Sequence, residues 1–232
     1  MKVEPKIWDS EFFKLKIGFA GIYTLDDAID LKRQYDSLRR QYDLIYVFDY
    51  YNVGFEAEGA SLVDEKVLYG KRCEPQIMYD EVCMFTDQPF EDLYRLALTS
   101  GYYSRYRLDN RFPQGSFERM YMRWVENACS MQASERMYVL WNQSKKAKGM
   151  ATLNINQSIG HIGLIAVGSE YQHQGIGTKI ISTLEGILYK AGVEKIEVPT
   201  QKANVDACRW YENRGYAPIS VIPIYHWWLN NK

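Results

Sequence analysis

Apolar positions along this chain fall into short continuous runs and into longer stretches with helical spacing, and the two kinds alternate. Continuous runs at residues 17–23, 43–49 and 62–68 predict strands, the middle one (DLIYVFD) apolar enough to be buried on both faces. Between the first two, a stretch from residue 24 or 25 to 41 carries Ile29, Leu31 and Leu38 behind Asp26 and Asp27, a helix with acids in its first turn. Strand, helix, strand predicts a right-handed parallel crossover. The polar residues 71–75 mark a boundary, which divides the chain into a small α/β unit over residues 1–73 and a larger domain over 74–232.

The larger domain opens with a predicted strand at 78–85 and helices at 90–100 and 117–130, separated by a loop dense in Tyr and Arg. Residues 136–142 and 148–156 predict two antiparallel strands joined by 143–147. A buried strand at 162–167 leads through a glycine-rich turn into an amphipathic helix. Ile176, Ile180, Ile181, Leu184, Ile187 and Leu188 make its apolar face, and Gly192 stops it. A strand at 195–199, a helix at 204–214 capped by Asn204 and closed by Gly215, and an aromatic strand at 224–229 complete the pattern. That last strand is expected in the sheet, with a dimer interface as one use for it. The class is α/β (α+β), a mixed sheet flanked by helices.

Composition narrows the function without naming it. The chain has 232 residues, 47% hydrophobic and 25% charged, as a globular protein should. A net charge of -1 leaves no electrostatic footprint for nucleic acid. Cys73, Cys83, Cys129 and Cys208 are scattered and do not cluster with His161, His173 or His226, so free thiols in a reducing compartment are expected and no metal site. The first residues lack an apolar signal core and no run reaches membrane-span length, which predicts a cytoplasmic protein with no membrane partner.

The candidate chemistry lies in the turn before the amphipathic helix, where Gln172, Gly175 and Gly177 spell Q-x-x-G-x-G. Glycines let backbone approach a ligand closely, and the first N–H groups of a helix have no intrahelical partner and sit at its positive pole. Such a turn suits a phosphate or pyrophosphate; it also serves as mere tight packing. A dinucleotide site would need G-x-G-x-x-G and an acid after the next strand, where this chain has Pro199 and Thr200. A P-loop would need G-K-[ST], and Gly177-Thr178-Lys179 reverses that order.

The stretch resembles the acyl-CoA turn of the GNAT family of N-acetyltransferases, an apolar strand, then [RQ]-x-x-G-x-[GA], then a helix. A second family pattern, N…A…YE..GF, occurs downstream as Asn204, Ala207, Tyr211, Glu212, Gly215 and Tyr216. The resemblance implies a splayed mixed sheet and acetyl-CoA as co-substrate. It implies that backbone N–H groups of Leu164, Ile165, Ala166 and Val167 receive the pantetheine and thioester. Those of Gln172, His173, Gln174, Gly175, Ile176, Gly177 and Thr178 would receive the pyrophosphate, and Asn204 would reach the pantetheine arm. Tyr211 is the implied general acid for the leaving thiolate, although a tyrosine beside Trp210 also reads as packing. Asp64 and Glu65 are candidates for the base, against a reading as solvated surface acids.

Three further stretches resemble one branch of that family, whose members acetylate a nucleotide-linked amino-deoxysugar. They are W-[DE]-S-x-F-F at Trp8, Asp9, Ser10, Phe12 and Phe13; S-R-[FY]-R-x-D-x-[RN]-F over residues 104–112; and Phe117-Glu118-Arg119 with Trp124-Val125-Glu126-Asn127. In the loop, Arg105, Arg107 and Arg111 suit a nucleotide diphosphate and Tyr103 or Tyr106 a base or sugar; a structural Arg–Asp109 loop is the alternative. A homodimer is implied by the resemblance alone. Two other functions stay open: a protein or peptide N-acetyltransferase, and a non-catalytic acyl-CoA-binding module.

Overall fold

The computed structural model describes residues 1–130 and 134–230, and its strands form one ten-stranded sheet. The first third contributes β1 (Glu4–Pro5), α1 (Ile7–Phe13), β2 (Ile17–Ile22), α2 (Leu25–Arg33), α3 (Tyr35–Leu38), β3 (Leu44–Asp49) and β4 (Ala60–Arg72). Then come β5 (Val82–Phe85), α4 (Glu91–Ser100), α5 (Arg105–Leu108), α6 (Ser116–Cys129), β6 (Glu135–Trp141), β7 (Ala147–Asn156) and β8 (Ile159–Val167). The chain continues with α7 (Ile176–Lys190), β9 (Lys195–Gln201), α8 (Val205–Glu212) and β10 (Ala217–Trp228). Strand order is β1-β2-β3-β10-β4-β9-β8-β7-β6-β5, parallel at β2–β3 and β8–β9 and antiparallel elsewhere. The boundary expected near residue 73 coincides with the end of β4, yet the sheet runs across it: β4 lies between β10 and β9.

Alternation along the strands sends neighbouring residues to opposite faces and defines two layers of helices. On one face Tyr46, Met137, Val139 and Trp228 pack with Phe13, Leu96, Tyr106, Met120 and Val125 of α1, α4, α5 and α6. On the other, α2 and α3 cover Ile45, Val47 and Trp227, and α7 and α8 cover Val67, Val198, Tyr138 and Leu140. Among the described residues no helix is long and apolar enough to cross a membrane.

Departures from the expected elements have local causes. The helix expected to reach residue 41 bends at Gln34, whose side chain donates to Asp30 O and Met1 O, and the bend returns Leu38 to the core shared with Leu31. The strand expected at 78–85 pairs only over Val82–Phe85, because Tyr79 N–H donates to Thr183 Oγ1 and Met78 packs over Gly186 of α7. The Tyr/Arg loop contains a turn of helix, α5, started by Ser104. β10 is twice as long as the aromatic run predicts, since Pro218 and Pro223 disguise its first half. It is an internal strand with Trp227 and Trp228 buried, so the dimer-interface use expected for it fails.

Candidate active site

β8 and β9 pair only from Ile159–Lys195 to His161–Glu197; beyond that point β9 stays with β4 and the two strands part. The bend comes from a bulge at Gly163 and Leu164 opposite Thr152. Thr152 Oγ1 accepts the Leu164 N–H at 2.8 Å and its hydroxyl donates to Glu135. A Cβ at Gly163 would press on the Glu135 carboxylate and lie 2.6 Å from Thr152 Oγ1, so a side chain here would displace the pair that holds the bulge. The gap opens into a groove of about 410 Å³ that passes through the sheet, with Gly163, Leu164 and Ile165 on one wall and Pro199, Thr200 and Gln201 on the other.

The N–H groups of a strand alternate in direction. Gly168 N–H donates back to β7, at Lys148 O. Ala166 and Leu164 therefore also face β7, while Ile165 and Val167 face the gap. This corrects the expectation that all four N–H groups from Leu164 to Val167 serve a ligand. Leu164 is engaged by Thr152, and Ala166 points away.

At the wide end of the gap the glycine turn meets α7. His173 and Gly175 adopt left-handed φ of 59° and 77°, and Gly175 stands immediately before the helix with open space where a Cβ would be. Six successive N–H groups, from His173 through Thr178, have no acceptor among the described residues. A concave run of orphan donors at a helix N-terminus fits the pyrophosphate of acetyl-CoA. The Gln172 N–H instead reaches Ser169 O, so that residue shapes the turn rather than adding a donor.

α8 carries the other two expected coenzyme-side residues. Asn204 Oδ1 caps the helix by accepting from Ala207 N–H, which leaves its amide N–H groups for the groove that it lines. Tyr211 is buried against Tyr69 and Tyr216, yet lines the same groove, and among the described residues nothing bonds its hydroxyl. Burial pushes its phenol up, so the hydroxyl keeps its proton at neutral pH. Cys208, half-buried, directs its thiol at Gln201 O.

The opposite side of the groove is built of charges. Asp64 lines the groove, and burial pushes its carboxyl up to about 6 against the lowering effect of Arg105 and Lys66. Glu65, offered beside it, is corrected: it faces the other side of β4 and pairs with Lys202 at 2.7 Å at the surface. Arg105 lies in the groove with its guanidinium over the rings of Tyr106 (4.5 Å), Tyr46 (5.4 Å) and Phe48 (5.7 Å). Its Nη2 donates to the Tyr106 hydroxyl, and its Nε is closed off without a partner among the described residues. Arg107, expected alongside, instead covers the exposed Tyr102 ring and donates to Tyr102 O, outside the groove. Arg111 takes the structural role. It pairs with Asp109, which also receives Trp228 Nε1 and the Nδ1–H of His226, tying the loop to β10.

Other groove residues were not singled out in the sequence. Lys66 shares a face with Asp64 and was legible from the two-residue strand period; Glu135 and Tyr121 carried no local signal, and Trp124 entered only through the third resembled stretch. A larger cleft of about 780 Å³, at the far end of β4 and β9, is lined by none of the expected site residues.

The family described as "Acetyltransferase (GNAT) family" matches residues 91–216, more than half of the chain, and the chain belongs to that family. It is an acetyltransferase with the mixed, splayed sheet of that fold. The fold resembles a conserved protein of unknown function from Staphylococcus epidermidis (TM-score 0.58, 14% identity, 91% of this chain and 83% of that one). It also resembles a GNAT acetyltransferase from Colwellia psychrerythraea (0.51, 12%, 89% and 75%). For a GCN5-related N-acetyltransferase from Sphaerobacter thermophilus the TM-score is 0.52 at 15% identity; the match covers 81% of this chain but only 60% of that one. No curated protein matches this chain in sequence.

Proposed function

We propose that the chain transfers the acetyl group of acetyl-CoA to the amine of a nucleotide-linked amino-deoxysugar. This is the reaction of dTDP-fucosamine N-acetyltransferase, which its N-terminal and loop motifs resemble. The observation that carries the reading is the acceptor half of the groove, where Arg105 lies beside Asp64 among the rings of Tyr106, Tyr121 and Trp124. A guanidinium suits a sugar diphosphate, flat rings suit a sugar face or a base, and a carboxylate suits the amine.

Acetyl-CoA supplies an acetyl group already activated as a thioester. The orphan N–H groups from His173 to Thr178 would hold its pyrophosphate, and the Asn204 amide its pantetheine arm. Those of Ile165 and Val167, facing the gap, would meet the thioester carbonyl where negative charge develops. Asp64, ionised at neutral pH but with affinity for a proton, would take one from the acceptor ammonium. Tyr211, held protonated, would give one to the departing sulfur. We assign the protein to the cytoplasm, where coenzyme and nucleotide sugars are both available.

The test is thiol release from acetyl-CoA with a panel of dTDP- and UDP-linked amino-deoxysugars differing in the position of the amine, with peptides as controls. Turnover on one sugar nucleotide is the expected result. Turnover on peptides alone would replace it with the protein N-acetyltransferase reading.

A further inference from the structure

Lys66 is placed as no ordinary surface lysine is. It stands on β4 two residues after Asp64, on the same face, and its side chain lines the groove that Tyr211, Asn204 and Ile165 also line. In register it lies beside Gln201 of β9, the strand that forms one wall of the gap. Its ammonium makes no hydrogen bond or ion pair among the described residues, although Lys71 further along β4, Lys179 of α7, Lys195 of β9 and Lys202 just after β9 each have a carboxylate partner. The charges around it come from α5, β4 and β9: Arg105 opposes its positive form, while Asp64 and Glu197 favour it.

We propose that Lys66 is itself an acceptor, so that the enzyme acetylates its own Lys66 Nζ when the groove holds no substrate amine. The inference rests on the acetyl-transfer reading of the groove. In the step, the free amine of Lys66 attacks the thioester carbonyl carbon; the N–C bond forms and the C–S bond breaks. The nitrogen gives its extra proton to Asp64, and the sulfur leaves with the Tyr211 proton as a free thiol. The protein gains one acetyl group, loses one positive charge, and carries an amide where the acceptor amine would sit. Burial, and Arg105 nearby, lower the affinity of Lys66 for its proton, which raises the share of free amine at neutral pH. Modification therefore closes the acceptor half of the groove and limits turnover when substrate is scarce.

The full-length protein incubated with acetyl-CoA alone, followed by intact mass and peptide mapping, tests this. Lys66 should gain an acetyl group about tenfold or more faster than the exposed Lys32 and Lys145, because it is held beside the reacting atoms. The Tyr211→Phe protein should lose that advantage, and Lys66→Arg should lose the modified peptide. Labelling with acetic anhydride across pH, without coenzyme, should show Lys66 reacting at lower pH than Lys32. Acetyl groups spread evenly over exposed lysines would overturn the proposal as plain chemical acylation. An unmodified Lys66 in a protein that acetylates a small amine would overturn it while leaving the acetyl-transfer reading intact; no turnover on any amine would remove both.

Discussion

The glycine turn and the groove are made of different material. The part proposed for the coenzyme is backbone: orphan N–H groups from His173 to Thr178 and the gap-facing N–H groups of Ile165 and Val167, with glycines to bring them close. The part proposed for the acceptor is side chain: Asp64 and Lys66 from β4, Arg105 and Tyr106 from α5, Tyr121 and Trp124 from α6, Glu135 from β6. Backbone donors serve any ligand with the same diphosphate, so this half can be written as a short contiguous motif. Side chains converge from positions far apart in the chain and can be exchanged one at a time. On the proposed reading, substrate choice resides in the half whose residues are scattered along the chain.

The sharpest test of that division is Tyr211→Phe, which removes the proposed proton donor and no backbone donor. Turnover should fall about 10²–10⁴-fold while calorimetry still finds acetyl-CoA binding. Loss of binding as well would mean that the two halves are not separable.

Acid should lower the stability of the whole fold through the pair that ties the α5 loop to β10. His226 is buried and neutral, pushed down to about 4 by burial, while its Asp109 hydrogen bond pulls the other way. The unfolded chain takes up a proton on this residue below its ordinary value near 6.5 that the folded chain refuses. Stability should therefore be full above about pH 6.5 and fall by about 3 kcal/mol as pH drops to about 4. Urea melts at stepped pH read this directly. Asp109, held well below the usual carboxylate range mainly by His226, Arg111 and Trp228 despite its burial, extends the loss to still lower pH.

Asp64→Asn should lower kcat/KM roughly 10²-fold. In the unaltered enzyme kcat/KM should rise with pH through about 6 as Asp64 loses its proton, and the variant should lose that limb. A limb that survives would assign the base elsewhere, with Glu135 the next carboxylate in the groove.

The smallest effects separate two arginines two positions apart. Arg105→Lys should raise the acceptor KM about tenfold, through loss of a planar donor set packed on rings. Arg107→Ala, outside the groove, should change neither constant by more than about twofold.

That pair also shows where sequence reading stopped. On one turn of helix Arg105 and Arg107 point to opposite sides, and a segment read as a loop has no period from which to see it. Asp64 and Glu65 posed the same problem on a strand that was correctly placed: alternation separates them, but only the partner strands say which side is the groove. The glycine turn before α7 and the Asn204 cap of α8 were legible in the sequence, because both are local backbone geometry. The bulge was not, since Gly163 matters through a carboxylate brought in from β6.

β10 enters the sheet between β3 and β4, strands formed from residues made far earlier. On the ribosome those two strands must wait as open edges until residues 217–228 emerge, exposing Ile45, Val47 and Val67 to unwanted pairing meanwhile. Contacts of such long sequence separation slow folding. The insertion also couples the halves of the chain: a lesion in the last strand should release the sheet at its middle, and the protein should melt as one unit.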